Sequence, residues 1–357
     1  MSSMLFSPIK FGDLTIDNRV VVAPMCQYSA NEGTMNDWHL VNLGQFATSG
    51  PGLIIIEATG VEADGRITHG CSGLYSDANE VAMKRVVDFC KSVSNSKIAV
   101  QIGHAGRKAS TQRPWEGGNS LKEGAWKTVA PSSIAFADGW HVPEALDEAG
   151  LERIKQAFVE SAKRAVRIGI DAIELHAAHG YLLHQFLSPL SNQRDDSYGG
   201  SIENRIRYPL EILDAVKAVV PENMPVFARV SASDWVDGGL DVEQSIVFAK
   251  AIEAAGCAAI HVSSGGNSPA QKLSIGFGYQ ANLAKQIRDE VNMPVIAVGM
   301  ITDPVQAETI IRTGQADMVA LARELIRDPH WTWRAARELK GTATVPNQYA
   351  RAISFSS

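Results

Sequence analysis

Residues 151–176 read LERIKQAFVESAKRAVRIGIDAIELH, which is a helix, its stop and a strand in succession. Leu151, Ile154, Phe158, Ala162 and Ala165 recur at helical spacing with Glu, Lys and Arg between them, the pattern of one buried stripe and one solvated face. Gly169 follows the last periodic residue, where glycine takes up the left-handed cap that ends a helix. The run DAIELH is too short for another helix and suits a strand covered on both faces.

The same unit repeats along the chain in both directions. Strand-like runs stand at 19–24 (RVVVAP), 52–58 (GLIIIEA), 97–102 (KIAVQI), 171–176, 225–230 (PVFARV), 258–263 (AAIHVS), 294–299 (PVIAVG) and 317–322 (DMVALA). Helical periodicity fills 78–93, 151–169, 201–220, 242–256, 279–291 and 303–314. Gly256 and Gly314 stand where helices stop, and Asp303 with Pro304 reads as a cap followed by proline at the first helical position. The segment 37–50 carries an interior glycine and only a modest apolar stripe. An open doubly wound sheet alternates in the same way, but eight repeats in one uninterrupted α/β domain favour a closed (β/α)8 TIM barrel over residues 1–357. Residues 104–146 are too long for a simple connection and read as a lid inserted after the third strand. Residues 340–357 form a tail without periodicity, which a frayed terminus would also explain.

The bulk numbers exclude several partners. With 33 Lys and Arg against 39 Asp and Glu, the net charge is −6, and no basic run offers a surface to nucleic acid. No stretch approaches the roughly 18 apolar residues of a membrane span, and the first residues lack the pattern of an export signal, so a cytoplasmic protein is expected. Cys26, Cys71, Cys90 and Cys257 lie too far apart in sequence for zinc or iron–sulfur spacing.

In a (β/α)8 barrel the chemistry sits where the strands end. There the sequence places Pro24, Met25, Cys26 and Tyr28; Glu57 and Ala58; Gln101, His104, Arg107 and Lys108; His176 and His179; Arg229; Gly299; and Ala322 with Arg323. His176 and His179 could ligate a metal, but the pattern offers no third ligand, and structural imidazoles remain an alternative. Two N–H donors suit a carbonyl oxygen on which negative charge grows, with Tyr181 able to supply a proton. Gly299 and Arg323, after the seventh and eighth strands, match the usual phosphate position of barrels. Arg229 is flanked by apolar residues, so its charge is expected to face an anion or to form a structural salt bridge.

Together these residues resemble the Old Yellow Enzyme family of flavin mononucleotide (FMN) ene-reductases, in the branch of bacterial NADPH dehydrogenases and xenobiotic reductases. The likeness spans nearly the whole chain. It rests on NRVVVAPMCQYSA (18–30), QIGHAGRKAS (101–110), ELHAAHGYLLHQFLSPLSNQRDDSYGGSIENR (174–205), ARVSASDW (228–235) and VALARELIRDPHW (319–331). The resemblance implies FMN contacts from Ala23, Pro24, Met25, Cys26, Ala58, Gln101 and Arg229, with Gly299, Ala322 and Arg323 at the phosphate. It implies that His176 and His179 bind the substrate oxygen, that Tyr181 donates a proton, that Tyr28 lines the substrate side, and that Cys26 adjusts the flavin. Many relatives have Asn where His179 stands, and some have Ser where Ala23 stands.

Further implications are NADPH or NADH as hydride donor, activated alkenes (α,β-unsaturated aldehydes, ketones, maleimides, nitroalkenes) as substrates, and a homodimer or homotetramer. In such an assembly Arg351 would enter a partner's site. A phosphate-binding aldolase or isomerase would share the fold, but it needs a lysine or carboxylate base not clearly placed here. A flavin protein that binds FMN without passing hydride onward is the third reading.

Overall fold

The computed structural model describes residues 2–353. A hairpin of two three-residue strands, β1 (Ile9–Phe11) and β2 (Leu14–Ile16), comes first. It closes the N-terminal end of the barrel: Phe11 packs edge-on against Phe227 at 4.9 Å. The barrel begins with β3 (Val20–Val22), followed by α1 (Asp37–Ala47), β4 (Leu53–Gly60), α2 (Asp77–Val93) and β5 (Lys97–Gly103). An excursion follows that carries the short ladder β6 (Val129–Ala130) and β7 (Glu144–Ala145). The chain then returns through α3 (Glu148–Ile168), β8 (Ala172–Ala177), α4 (Leu182–Leu187), α5 (Ile202–Arg205), α6 (Arg207–Lys217) and β9 (Val226–Ser231). It finishes with α7 (Val242–Ala254), β10 (Ile260–Ser263), α8 (Ala281–Arg288), β11 (Val295–Val298), α9 (Pro304–Arg312), β12 (Met318–Leu321), α10 (Arg323–Arg327) and α11 (Trp331–Glu338).

Eight parallel strands close on themselves in the order β3-β4-β5-β8-β9-β10-β11-β12, with β12 paired back onto β3 through Leu321 and Val22. The fold expected from the repeats is therefore the fold observed. Helix α3 shows why. Asp147 caps its first turn by accepting from the Gly150 N–H, Gly169 ends it at φ 85°, and Leu151, Ile154, Phe158, Ala162, Ala165 and Ile168 are buried. Each large apolar side chain buried in this way contributes about 1.5–3 kcal/mol.

The helix expected over 201–220 is broken at Ile206. Pro209 has no N–H to offer the Arg205 carbonyl, and its ring crowds that turn. The 104–146 excursion is tied down by Arg107, whose guanidinium donates to the carbonyls of Asn267 at 2.7 Å and Ile134 at 3.3 Å. Within the tail, a turn over Asn347–Tyr349 sets its ring edge-on to Trp333 at 5.9 Å. Arg351 follows, exposed, and residues 354–357 lie outside the described residues.

Candidate active site

Strand register brings the polar side chains together. Gln101 pairs with Glu174, His176 with Arg229, and Arg229 with His261, so four neighbouring strands present one polar layer near the barrel mouth. Glu174, on the opposite side of the strand from Leu175, points into this layer. It accepts from Gln101 Nε2 and from His261 Nδ1, each at 2.7 Å.

Arg229 is only 8% exposed. Among the described residues no carboxylate lies within ion-pairing distance of it, and its Nε has no hydrogen-bond partner. Burial lowers its pKa, with Glu174 opposing, but both Glu174 oxygens already accept from other residues. A buried cation without an anion is costly, so this one is built for an anionic or electron-rich group from outside the chain.

After β8 the backbone turns sharply. His179 has φ 59° and Gly180 φ 75°, two left-handed residues in a row. The turn brings the ring of His176 to 5.3 Å from that of His179 and 4.9 Å from that of Tyr181, both edge-on. His176 Nδ1 accepts from the Ala178 N–H at 3.4 Å, which directs its proton to Nε2. His179 Nε2 meets Ser263 Oγ at 2.8 Å. Burial, then the charge of Arg229, pulls both imidazoles well below the usual range, so they are neutral at neutral pH. Burial pushes the Tyr181 phenol well up.

Cys26 is half-buried after β3. Burial raises its thiol well above the usual range, and Cys71 and Glu57 act in the same direction. A thiol held neutral is no nucleophile. Tyr28 stands beyond it with φ 51°, edge-on to Trp115 at 5.9 Å. Ala58 shares a small hollow with Cys71, His176 and Tyr181. Ala23 is buried and joins its N–H to the Leu321 carbonyl at 2.9 Å.

On the other side of the mouth lies a cleft of about 530 Å³ whose wall includes His179, Arg229, Gly299, Ala322 and Arg323. At Gly299, φ is 124°, and a Cβ would come within 2.6 Å of Gln280 Nε2. Only a glycine leaves that cradle open. Pro24, Met25, Cys26, Ala58 and Gln101 do not form this wall; Pro24, Met25 and Cys26 follow β3, and Ala58 and Gln101 lie toward the ends of β4 and β5. Arg351 is on neither surface. The residues present fit FMN: an unpaired buried guanidinium at the inner end, and a glycine cradle with an exposed arginine at the outer end.

Three features make contacts that the sequence does not reveal. Lys108 reaches the β8 turn, Gln280 joins Ser264 Oγ at 2.6 Å beside the cleft, and Glu57 sits buried behind Cys26. Burial raises the Glu57 carboxyl to about 7. Only Glu57 and Lys108 carried a signal, as charged residues at strand ends.

A closed parallel barrel with a nucleotide-sized cleft, an orphaned buried arginine and neutral imidazoles at its mouth defines a flavin-dependent oxidoreductase. The chain belongs to the NADH:flavin oxidoreductase / NADH oxidase family, which it matches over residues 4–341, as an FMN-dependent NAD(P)H oxidoreductase of the Old Yellow Enzyme type. It is 42% identical over 357 residues to an NADPH dehydrogenase of Geobacillus sp. (strain WCH70), covering 99% of this chain and 100% of that one. Morphinone reductase superposes with a TM-score of 0.79 at 28% identity, covering 97% of this chain and 92% of that chain. An Old Yellow Enzyme homologue from Zymomonas mobilis shares the fold, with a TM-score of 0.77 at 24% identity over 96% and 94% of the two chains.

Proposed function

We propose that the enzyme reduces the activated C=C bond of α,β-unsaturated aldehydes, ketones, maleimides or nitroalkenes. The observation that carries this reading is the cluster of two neutral imidazoles and one phenol at the barrel mouth, with ring separations of 5.3 and 4.9 Å. Ala23, Pro24, Met25, Cys26, Ala58, Gln101 and Arg229 would hold the FMN ring, and Gly299, Ala322 and Arg323 its phosphate. The chemistry FMN would supply there, when bound, is hydride transfer from NADPH or NADH to carbon β of the alkene.

His176 and His179 hold the substrate oxygen. Being neutral, they stabilise charge growing there without surrendering a proton. Tyr181 gives its proton to carbon α. The alkene π bond breaks, C–H bonds form at carbons α and β, the phenolate recovers its proton from water, and the C=O bond is untouched. Tyr28 lines the substrate side, and Cys26 adjusts the flavin as a thiol. Residues 104–146 serve as a lid, and Arg351 reaches a neighbouring subunit of a cytoplasmic homodimer or homotetramer.

Turnover of cyclohexenone in D2O tests the reading. The product is expected to be cyclohexanone with one deuterium at carbon α and a donor-derived hydrogen at carbon β. Cyclohexenol as the product would overturn it.

A further inference from the structure

Lys108 leaves the loop after β5 and ends between three other parts of the molecule. Its Nζ donates to the carbonyl of His179 and to that of Gly266, both at 2.7 Å. It also lies 5.1 Å from the centre of the Tyr181 ring and 4.6 Å from that of Phe136 in the inserted segment. The other backbone groups of the β8 turn are held by Ser231, His184 and Gln185. The His179 N–H donates to Ser231 Oγ at 2.9 Å, the Gly180 N–H donates to His184 Nδ1 at 2.8 Å, and the Gly180 carbonyl accepts from Gln185 Nε2 at 2.7 Å. Of the four side chains that clamp this turn, Lys108 is the one whose charged end also lies over the Tyr181 ring.

A cation over an aromatic face is attracted by the ring electrons, and more so when water is excluded. That attraction grows when the phenol becomes a phenolate, so it favours the state reached after Tyr181 has released its proton. The two carbonyls keep the ammonium from swinging away. We propose that Lys108 is a positioning residue for the protonation step, held in place by the carbonyls of His179 and Gly266, and that it sets the acidity of Tyr181 through its ring. The role rests on the reading of Tyr181 as proton donor.

Burial, then repulsion from Arg107, brings the Lys108 pKa down to about 7, so its charge changes across the neutral range. The groups facing it are His179 and Tyr181 on the β8 loop and Arg107 on its own loop, with His176 beyond; Gly266 offers only its carbonyl. Both imidazoles stay neutral, the phenol stays protonated, and Arg107 titrates only at about 10. Glu57 behind Cys26 is the other group at about 7, and Lys108→Arg separates the two.

The test is the stopped-flow rate at which cyclohexenone reoxidises the NADPH-reduced holoenzyme, for wild type, Lys108→Met, Tyr181→Phe and the double variant. Lys108→Met is expected to slow the rate by about 10- to 30-fold in the wild type, the scale of a desolvated cation–ring contact. In the Tyr181→Phe background it should slow the rate by less than about twofold. Lys108→Arg keeps the charge at every pH, and should restore most of the rate and flatten its dependence between pH 6 and 8. An equal loss in both backgrounds, or an unchanged wild-type rate with methionine at 108, overturns the proposal. A normal rate for Tyr181→Phe alone overturns the assignment of the proton donor, and the role of Lys108 with it.

Discussion

Gly266 packs against the backbone of His179 so closely that a Cβ on it would stand 2.6 Å from His179 Cα. The partner glycine obeys the same constraint: a Cβ on Gly180 would lie 2.3 Å from the Gly266 carbonyl oxygen. The loops after β8 and β10 therefore meet backbone to backbone, and this contact holds the His176, His179 and Tyr181 rings in place.

Two glycine substitutions separate that contact from ordinary conformational strain. Gly200 has φ 82° with no atom within 4 Å of the place a Cβ would take, whereas Gly180 has φ 75° and the close carbonyl. Gly200→Ala should cost about 1–2 kcal/mol from the left-handed backbone alone. Gly180→Ala should cost at least about 2 kcal/mol more and reduce enone turnover. Urea unfolding of the two variants checks this, and equal losses would contradict the close packing.

Arg229 is buried with no carboxylate partner, so its effect on stability should reverse with cofactor binding. Arg229→Met removes an uncompensated charge, and should leave the apoprotein as stable as wild type or more so. The same variant should bind FMN at least about tenfold more weakly, the equivalent of about 1.4 kcal/mol. Melting curves of apoprotein and holoprotein test both signs.

His176 is held neutral with its Nδ1 accepting from the Ala178 N–H, which leaves Nε2–H to donate. Removal of one donor to a developing oxyanion typically costs about 10²–10³ in rate. His176→Ala should lower cyclohexenone turnover by that factor while the protein keeps its flavin absorbance.

Asp234 and His184 lie 3.0 Å apart, both fully buried. Burial alone would raise the Asp234 carboxyl, but His184, Ser188 and the Leu240 N–H outweigh it and hold the pKa at about 2. An unfolded aspartate titrates at about 3.9. A depressed folded pKa contributes stability that is complete above about pH 4 and is lost as pH falls toward 2. Asp234→Asn should therefore show a shallower loss of stability between those limits than wild type, as read by chemical denaturation at each pH.

The barrel was legible because every strand run is short and mostly apolar and nearly every helix carries a stripe. Three-residue strands such as Ile9–Phe11 are too short to show any period, so the hairpin was not. The break at Ile206 had its cause in plain view as Pro209, yet a proline near a helix start reads equally well as part of that start. His176, His179 and Tyr181 were readable because they are local to one strand end. Lys108 was not, because its partners are backbone carbonyls 71 and 158 residues away, which leave no side-chain signature. The pairing of Glu174 with His261, across 87 residues, was hidden for a similar reason: register between distant strands decides it.

The most direct measurement of the central claim is an anaerobic absorbance spectrum of the purified protein, taken as isolated, after NADPH, and after cyclohexenone. A flavin spectrum that bleaches with NADPH and returns with the enone is the predicted result. A flavin that bleaches with NADPH but stays reduced when the enone is added would contradict the proposed ene-reductase activity.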